Sequence, residues 1–340
     1  MVWQSPPQII QWDITSRCNL KCRHCRAANL DASTDDLSFD EVTSILKEIG
    51  SLAPDAYLAL AGGEPLTRKD LKDILVFAKD NLKKISIELL TNATLVNRDN
   101  VGWLSELING FNVSLDGASA SVHDAIRNKG AFEKTVRGIK LLVEKKVRLA
   151  VRMTYLHQGL AEPERLMRFI ADLGVKFFNF RYLVPVGRAS RQKIDADEYE
   201  FLCRRIVYLG KKLGFEVGFS DPFPEILTDE KEAKKIRQDC LLMQGYAVTG
   251  CSAAFTLLYL DPKGTIQLCP YFPVEIADAR KGNLNDIWFN NELLNLFRQH
   301  RGYLKGKCGD CEYKFACGGC RGAAWATGDF LGEDPRCWKK

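Results

Sequence analysis

Three cysteines at C-x3-C-x2-C spacing, Cys18, Cys22 and Cys25, stand directly after the apolar run Gln8 to Ile14. Thiolates this close on a sharply turning loop can occupy one face of an iron–sulfur cube, because a cluster takes several soft sulfur ligands from a short segment. No fourth cysteine stands beside them. A cube iron without protein sulfur is an open coordination position, and open positions are where metals do chemistry rather than hold structure. A zinc knuckle or a chance grouping are the bland alternatives. A second group fills the tail: Cys251, Cys269, then Cys308-x2-Cys311-x5-Cys317-x2-Cys320, and finally Cys337. Its paired C-x2-C elements, taken alone, also read as a zinc ribbon.

Between the two groups lie polar residues that a ligand could use. Gly62-Gly63-Glu64-Pro65 combines glycines that permit close backbone approach with a carboxylate able to accept from an ammonium group; a plain turn is the alternative. Period-2 alternation turns Ser114 and Asp116 to one side. Arg127 reads equally as a surface helix charge. Arg152, Tyr155, Arg181 and Tyr182 are interspersed with apolar residues, and Pro185-Val-Gly187-Arg188 follows. These arginines either form rim salt bridges or orient anionic groups by bidentate hydrogen bonds. Arg152 is grouped with the cofactor-binding residues, and Arg181, Arg188 and Tyr182 with substrate contacts.

The elements that must position these residues alternate in kind. Strands are expected over Ile9 to Ile14, Tyr57 to Ala61, Lys84 to Thr91, Gly110 to Leu115, Val147 to Tyr155 and Val175 to Leu183. Helical patterns run over Ser38 to Ile49, opened by Ser38 and Glu41, then Lys69 to Asn81, Val101 to Leu107, Lys134 to Lys145 and Glu164 to Leu173. Six βα-type repeats argue for an α/β fold, a parallel sheet curved into a partial (β/α)6 barrel with its reactive loops on one rim. The chain divides into a barrel over 1–188, a helical bridge over 189–245 and a cysteine-rich α+β tail over 246–340. In the bridge, helices are expected over Asp197 to Leu213 and Glu230 to Gln238, with Phe215 to Phe219 extended and Cys203 a core thiol. The tail opens with a hairpin turning at Asp261-Pro-Lys-Gly264 and returning over Thr265 to Cys269.

Composition narrows the class. With 340 residues, 46% hydrophobic and 27% charged, the chain can bury a large core and carry an appendage. The net charge of +5 is spread along the chain, which speaks against nucleic acid and suits an anionic small substrate or an acidic peptide. Ten of the 12 cysteines fall in the two groups, while Cys203 and Cys240 stand apart. The start, Met1-Val-Trp-Gln-Ser-Pro-Pro, lacks a basic segment and an apolar h-region, and no stretch approaches membrane-spanning length. Metal–thiolate ligation in a reducing cytoplasm, without membrane attachment, is therefore expected over disulfides.

The first loop, with His24 at the aromatic-type position before its last cysteine, resembles the signature of the radical S-adenosylmethionine (SAM) superfamily. That resemblance implies a [4Fe-4S] cluster on Cys18, Cys22 and Cys25 whose open iron chelates SAM, which is cleaved to a 5′-deoxyadenosyl radical. It also implies that Gly62, Gly63, Glu64 and Pro65 meet the methionine amino group, Ser114 and Arg127 the SAM carboxylate, and Asn92 the ribose or methionine portion, with Asp116 in the same set. The tail, with Gly264 five residues before Cys269, resembles the SPASM domain, which carries two auxiliary iron–sulfur clusters. The resemblance assigns Cys251, Cys269 and Cys320 to one and Cys308, Cys311, Cys317 and Cys337 to the other, both expected as [4Fe-4S] sites, with Cys240 a candidate further ligand. Cys317-Gly-Gly-Cys320 has C-x2-C where many members have C-x3-C. Together with Thr327-Gly-Asp-Phe-Leu-Gly-Glu-Asp-Pro335 and Cys25-Arg26-Ala27, it looks most like SPASM enzymes that modify tetrapyrrole side chains in the alternative haem pathway, by decarboxylation or deacetylation. SPASM maturases of ribosomally made peptides are the alternative, and a ferredoxin or flavodoxin is the implied electron donor. A non-catalytic electron carrier or a zinc protein stays open, although the first has no need of Gly62 to Pro65, Ser114 or Arg127 and the second no need of a three-cysteine loop without a fourth ligand.

Overall fold

A computed structural model describes residues 4–29, 36–224 and 250–339. Alternating apolar runs and amphipathic segments build strands β1 (Ile9–Asp13), β2 (Tyr57–Ala61), β3 (Ser86–Thr91), β4 (Gly110–Ser114), β5 (Arg148–Tyr155) and β6 (Phe177–Tyr182). Between them run helices α1 (Phe39–Leu52), α2 (Leu71–Asn81), α3 (Val101–Leu107), α4 (Ala120–Arg127), α5 (Ala131–Glu144) and α6 (Glu162–Asp172). At the start of α1 a capping box forms: the Ser38 hydroxyl accepts from Glu41 N–H while the Glu41 carboxylate accepts from Ser38 N–H at 2.8 Å.

The bridge expected after the barrel is in part a continuation of it. Helix α7 (Ala196–Leu213) leads into β7 (Glu216–Phe219), which pairs parallel to β6, so the parallel run has one strand more than expected. The tail also joins the sheet. Its first strand, β8 (Leu257–Leu260), pairs parallel to β1 on that strand's other side, and β9 (Thr265–Cys269) and β10 (Phe272–Asp278) follow antiparallel. One ten-stranded sheet results, in the order β10-β9-β8-β1-β2-β3-β4-β5-β6-β7, open at both ends. No periodicity in the chain marks β8 as a neighbour of β1, because strand pairing over about 250 residues is a tertiary choice.

Side chains on one face of the sheet, including Trp12, Leu60, Leu89, Val113, Met153 and Phe180, are buried beneath the helices. The other face lines the barrel interior. Cys203 lies buried within α7, in the core as expected. Cys240 and the expected helix over Glu230 to Gln238 fall outside the described residues. No helix among the described residues is long and apolar enough to cross a membrane.

Candidate active site

The cysteine loop leaves β1 at Asp13 and crosses directly over the end of β2. Gly63 N–H donates to Thr15 O and Glu64 N–H to Arg17 O, each at 2.8 Å. A Cβ on Gly62 would overlap the carbonyl oxygen of Thr15, and one on Gly63 that of Arg17. The glycine pair is therefore required for the stem of the loop to pass, which is a backbone-to-backbone approach. Glu64, 1% exposed, accepts from Thr91 Oγ1 and Asn92 N–H, both at 2.7 Å. Burial pushes its carboxyl up, and these two bonds act against that shift. Its carboxylate ties the end of β2 to the end of β3. The Asn92 amide in turn donates to Asn19 Oδ1 at 3.0 Å, inside the cysteine loop.

A second buried carboxylate organises the far side of the loop. Asp116, fully buried, faces Arg127 Nε at 2.5 Å and His24 Nε2 at 2.8 Å, while its other oxygen accepts from Thr154 N–H at 2.9 Å. Burial alone would raise the Asp116 carboxyl, but the Arg127 and His24 charges hold it well below the usual carboxylate range. Arg127 also reaches Cys22 Sγ at 3.9 Å. The surface-charge reading of Arg127 is thus replaced by a buried one, because α4 turns its last residue inward against the loop. Neighbouring backbone completes the clamp: Arg23 N–H donates to Ile126 O at 2.8 Å, and Lys21 N–H to Asn128 Oδ1.

The two remaining substrate candidates are placed elsewhere. Arg188 N–H donates to Cys25 O at 3.1 Å and its Nη1 to Cys22 O at 3.0 Å, so this residue braces the loop from the β6 side. Tyr182, fully buried, donates its hydroxyl to Glu198 at 2.8 Å and packs on Tyr199, pointing to α7 and away from the barrel interior. Arg152 and Arg181, in contrast, both line an interior cavity of about 490 Å³ together with Ser220, Tyr271, Phe219 and Leu90. Cys251, Cys269 and Cys320 line its tail side. Ser114 is half-buried at the end of β4, in register with Arg152 on β5.

The other four tail cysteines, Cys308, Cys311, Cys317 and Cys337, line a separate cavity of about 380 Å³. Backbone N–H groups point at several sulfurs: Leu20 at Cys18 (3.4 Å), Tyr313 at Cys311 (3.4 Å) and Gly319 at Cys317 (3.3 Å). The sulfurs fit a cationic cluster. Burial, then the Glu64 charge and the neighbouring thiols, pushes Cys18 up to about 11; burial and neighbouring thiols drive Cys269 and Cys317 higher still, a penalty that bound metal charge would reverse. All the described cysteines are free of disulfides.

Sequence reasoning missed several residues that the fold brings to this site. Arg26, beside Cys25, makes two 2.8 Å bonds to Asp13, which also accepts from the Tyr259 hydroxyl of β8 at 2.8 Å. An acid inside the apolar β1 run was the available signal for Asp13. No local signal marks Tyr271, whose ring lies 5.7 Å from the Arg26 guanidinium and 4.5 Å from that of Arg181.

Comparison with known proteins places residues 12–170 in the Radical SAM superfamily and residues 251–312 in SPASM, an iron–sulfur cluster-binding domain. The chain is 32% identical to the AdoMet-dependent heme synthase of Methanosarcina barkeri, over 97% of this chain and 96% of that protein. It is 27% identical to the pre-heme d1 synthase of Dinoroseobacter shibae, over 98% of this chain and 87% of the relative. In fold it is similar to Streptococcus suis SuiB bound to S-adenosylmethionine, with a TM-score of 0.79 at 19% identity, covering 98% of this chain and 78% of SuiB. It also matches anSMEcpe with bound AdoMet, with a TM-score of 0.70 at 18% identity, over 92% and 89% of the two chains.

Proposed function

Because the chain belongs to the radical SAM superfamily and carries a SPASM extension, we propose that it modifies carboxylate-bearing side chains of a tetrapyrrole in haem biosynthesis. It is an enzyme whose cofactors are SAM and iron–sulfur clusters. The observation that carries the tetrapyrrole reading is the 490 Å³ cavity: its tail end, lined by Cys251, Cys269 and Cys320, would hold their cluster, and the remainder combines aromatic walls with two guanidinium groups. A wide apolar ring edged by carboxylates matches that lining. Full-length likeness to enzymes named for haem synthesis supports the same reading.

We assign Cys18, Cys22 and Cys25 to the SAM cluster, Cys251, Cys269 and Cys320 to one auxiliary cluster, and Cys308, Cys311, Cys317 and Cys337 to the other. When bound, the SAM cluster and SAM supply a carbon-centred radical able to abstract hydrogen. The protein's own residues do the remaining work. Asp116 fixes His24 and Arg127, and Glu64 fixes Asn92, so polar groups around the loop are oriented before a ligand arrives. Gly62, Gly63, Pro65, Asn92, Ser114 and Arg127 line the rim where SAM would be held. The tail hairpin, paired to β1, walls one side of the cavity. Electrons come from a small donor of ferredoxin or flavodoxin type, and the free thiols suit a reducing cytoplasm.

Anaerobically reconstituted protein titrated with iron-coproporphyrin and didecarboxysirohaem tests the reading. One of them should perturb its Soret band on binding and yield a side-chain-trimmed product with SAM and reductant. Modification of a peptide instead, with neither tetrapyrrole bound, would replace this substrate by a peptide and leave the family unchanged.

A further inference from the structure

Buried arginines around the site fall into two kinds. Arg26 is saturated by Asp13, Arg127 by Asp116, and Arg336 by Asp334 and Asp221. Arg152 and Arg181 have no ion-pair partner among the described residues, and the Nε of each is buried without a hydrogen bond. Arg181 donates only Nη2, to Ser220 O at 2.9 Å.

The two face the same cavity from neighbouring strands. Arg152 on β5 is in register with Asn179 on β6, two residues before Arg181, so both side chains leave the same face of the sheet one pleat apart. Burial, and then the like charge of Arg181, push Arg152 below its ordinary value. Among the described residues no cavity carboxylate forms an ion pair with either arginine, although burial is outweighed by Tyr271 and then Asp221, which lift Arg181 above its ordinary value. Asp221 is already held by Arg336 at 2.6 Å and by the Tyr199 hydroxyl at 2.6 Å, while Glu88 is hydrogen-bonded with Tyr57. A charge taken from water without a partner is costly, so two such groups side by side are built for anions from outside the chain. The Tyr271 ring lies 4.5 Å from the Arg181 guanidinium and 5.7 Å from that of the saturated Arg26, so an aromatic wall stands beside the unpaired charge.

We propose that Arg152 and Arg181, walled by Tyr271, form a two-point clamp for two carboxylates on a single ligand. The cavity then selects dianions over monoanions, and Arg152 serves the substrate, not SAM. The inference rests on the tetrapyrrole reading only for the identity of the ring that bears the carboxylates.

The test uses anaerobic holoprotein and two readouts that are independent of turnover, Soret titration and equilibrium dialysis of SAM. Iron-coproporphyrin should bind Arg152→Gln and Arg181→Gln roughly tenfold or more weakly than wild type, and the double variant more weakly than either, with a non-additive share because the two are neighbours. SAM affinity should be unchanged, and the fully methyl-esterified porphyrin should bind wild type no better than the double variant does. Arg152→Lys, which keeps the charge but loses the fork, should fall between wild type and Arg152→Gln. Iron content and circular dichroism identify any variant that misfolds, in which case Arg152→Lys and the ester decide.

The clamp is overturned if Arg152→Gln weakens SAM and leaves the porphyrin titration unchanged, or if the ester binds wild type as well as the free acid. Calorimetry with linear dicarboxylates against monocarboxylates separates the two ideas. Dicarboxylate binding that needs both arginines, without tetrapyrrole binding, would remove the tetrapyrrole and keep the clamp. Tetrapyrrole binding indifferent to both arginines would do the reverse, and binding of neither ligand would also overturn the clamp.

Discussion

The barrel rim and the tail each hold cysteines beside a buried carboxylate, but they assemble these parts in opposite ways. Asp116 gathers His24, Arg127 and Thr154 from three separate elements, and the rim loop is further gripped from the ends of β2, β3 and β6. Asp334 works within its own neighbourhood: it accepts from Cys320 N–H at 2.7 Å and from Arg336, whose backbone and side chain both bond to it. Arg321 similarly ties loop carbonyls Phe330 and Gly332 inside the tail. The rim is thus shaped by the ends of an extended hydrogen-bonded sheet, whereas the residues around the last four cysteines have short helices and local polar ties. Metal binding therefore adds more to folding in the tail than at the rim.

Removing the thiolates tests this most severely. Replacing Cys18, Cys22 and Cys25 by alanine should abolish 5′-deoxyadenosine formation while the barrel stays folded and the tail keeps its iron, as read by metal analysis and hydrogen exchange. Replacing the tail cysteines Cys308, Cys311, Cys317 and Cys337 should deprotect amides throughout residues 306–339. Equal exchange in the two variants would erase the contrast.

Neutralising the two carboxylates comes next. Asp116→Asn leaves the buried Arg127 without its carboxylate, at a cost of about 3–5 kcal/mol in denaturant unfolding, whereas Asp334→Asn should cost less because Arg336 keeps Asp221. For Asp116→Asn the loss should appear as a displaced cysteine loop and weaker SAM binding. For Asp334→Asn it should appear as loosening around Cys320 within the tail, while the Arg336–Asp221 bond keeps the tail on the barrel edge. Weakened SAM binding in both would argue for one mechanical unit.

A smaller effect is expected at the stem of the loop. Gly63→Ala sets a Cβ against the Arg17 carbonyl, which is backbone and cannot swing aside. Overpacking of this kind costs about 1–3 kcal/mol. Gly102→Ala meets nothing within 4 Å and serves as the control. Equal unfolding midpoints for the two variants would contradict the close approach.

The mildest test is acid. Burial pushes His123 in the barrel down to about 4 and His300 in the tail down to about 3. Below the unfolded value of about 6.5 the unfolded chain takes up protons that the folded chain refuses. Their contribution is therefore complete above that pH and falls by about 1.4 kcal/mol per unit for each histidine as pH drops toward the folded values. Urea midpoints at pH 7 and pH 6 should differ accordingly, and His300→Gln should reduce the difference by its own share. An unchanged slope in that variant would place His300 in water.

Much of this protein was legible before folding. Spacing alone drew attention to Cys18, Cys22 and Cys25, and the strands Tyr57–Ala61 and helix Val101–Leu107 stand where periodicity put them. Such features are local, since side-chain period and thiol spacing act over a few residues. Other features required the chain to meet itself. Whether Arg127 faces water or Asp116 depends on where α4 docks, and Arg188 and Tyr182, one turning to the cysteine loop and the other to Glu198, were separated from Arg181 by their surroundings. The pairing of β8 with β1, which brings Tyr259 onto Asp13 and sets Tyr271 between Arg26 and Arg181, joins residues about 250 positions apart. Composition and periodicity determined the elements and the metal-binding chemistry. Only burial and long-range strand pairing decided which charges are neutralised within the chain and which are left for a ligand.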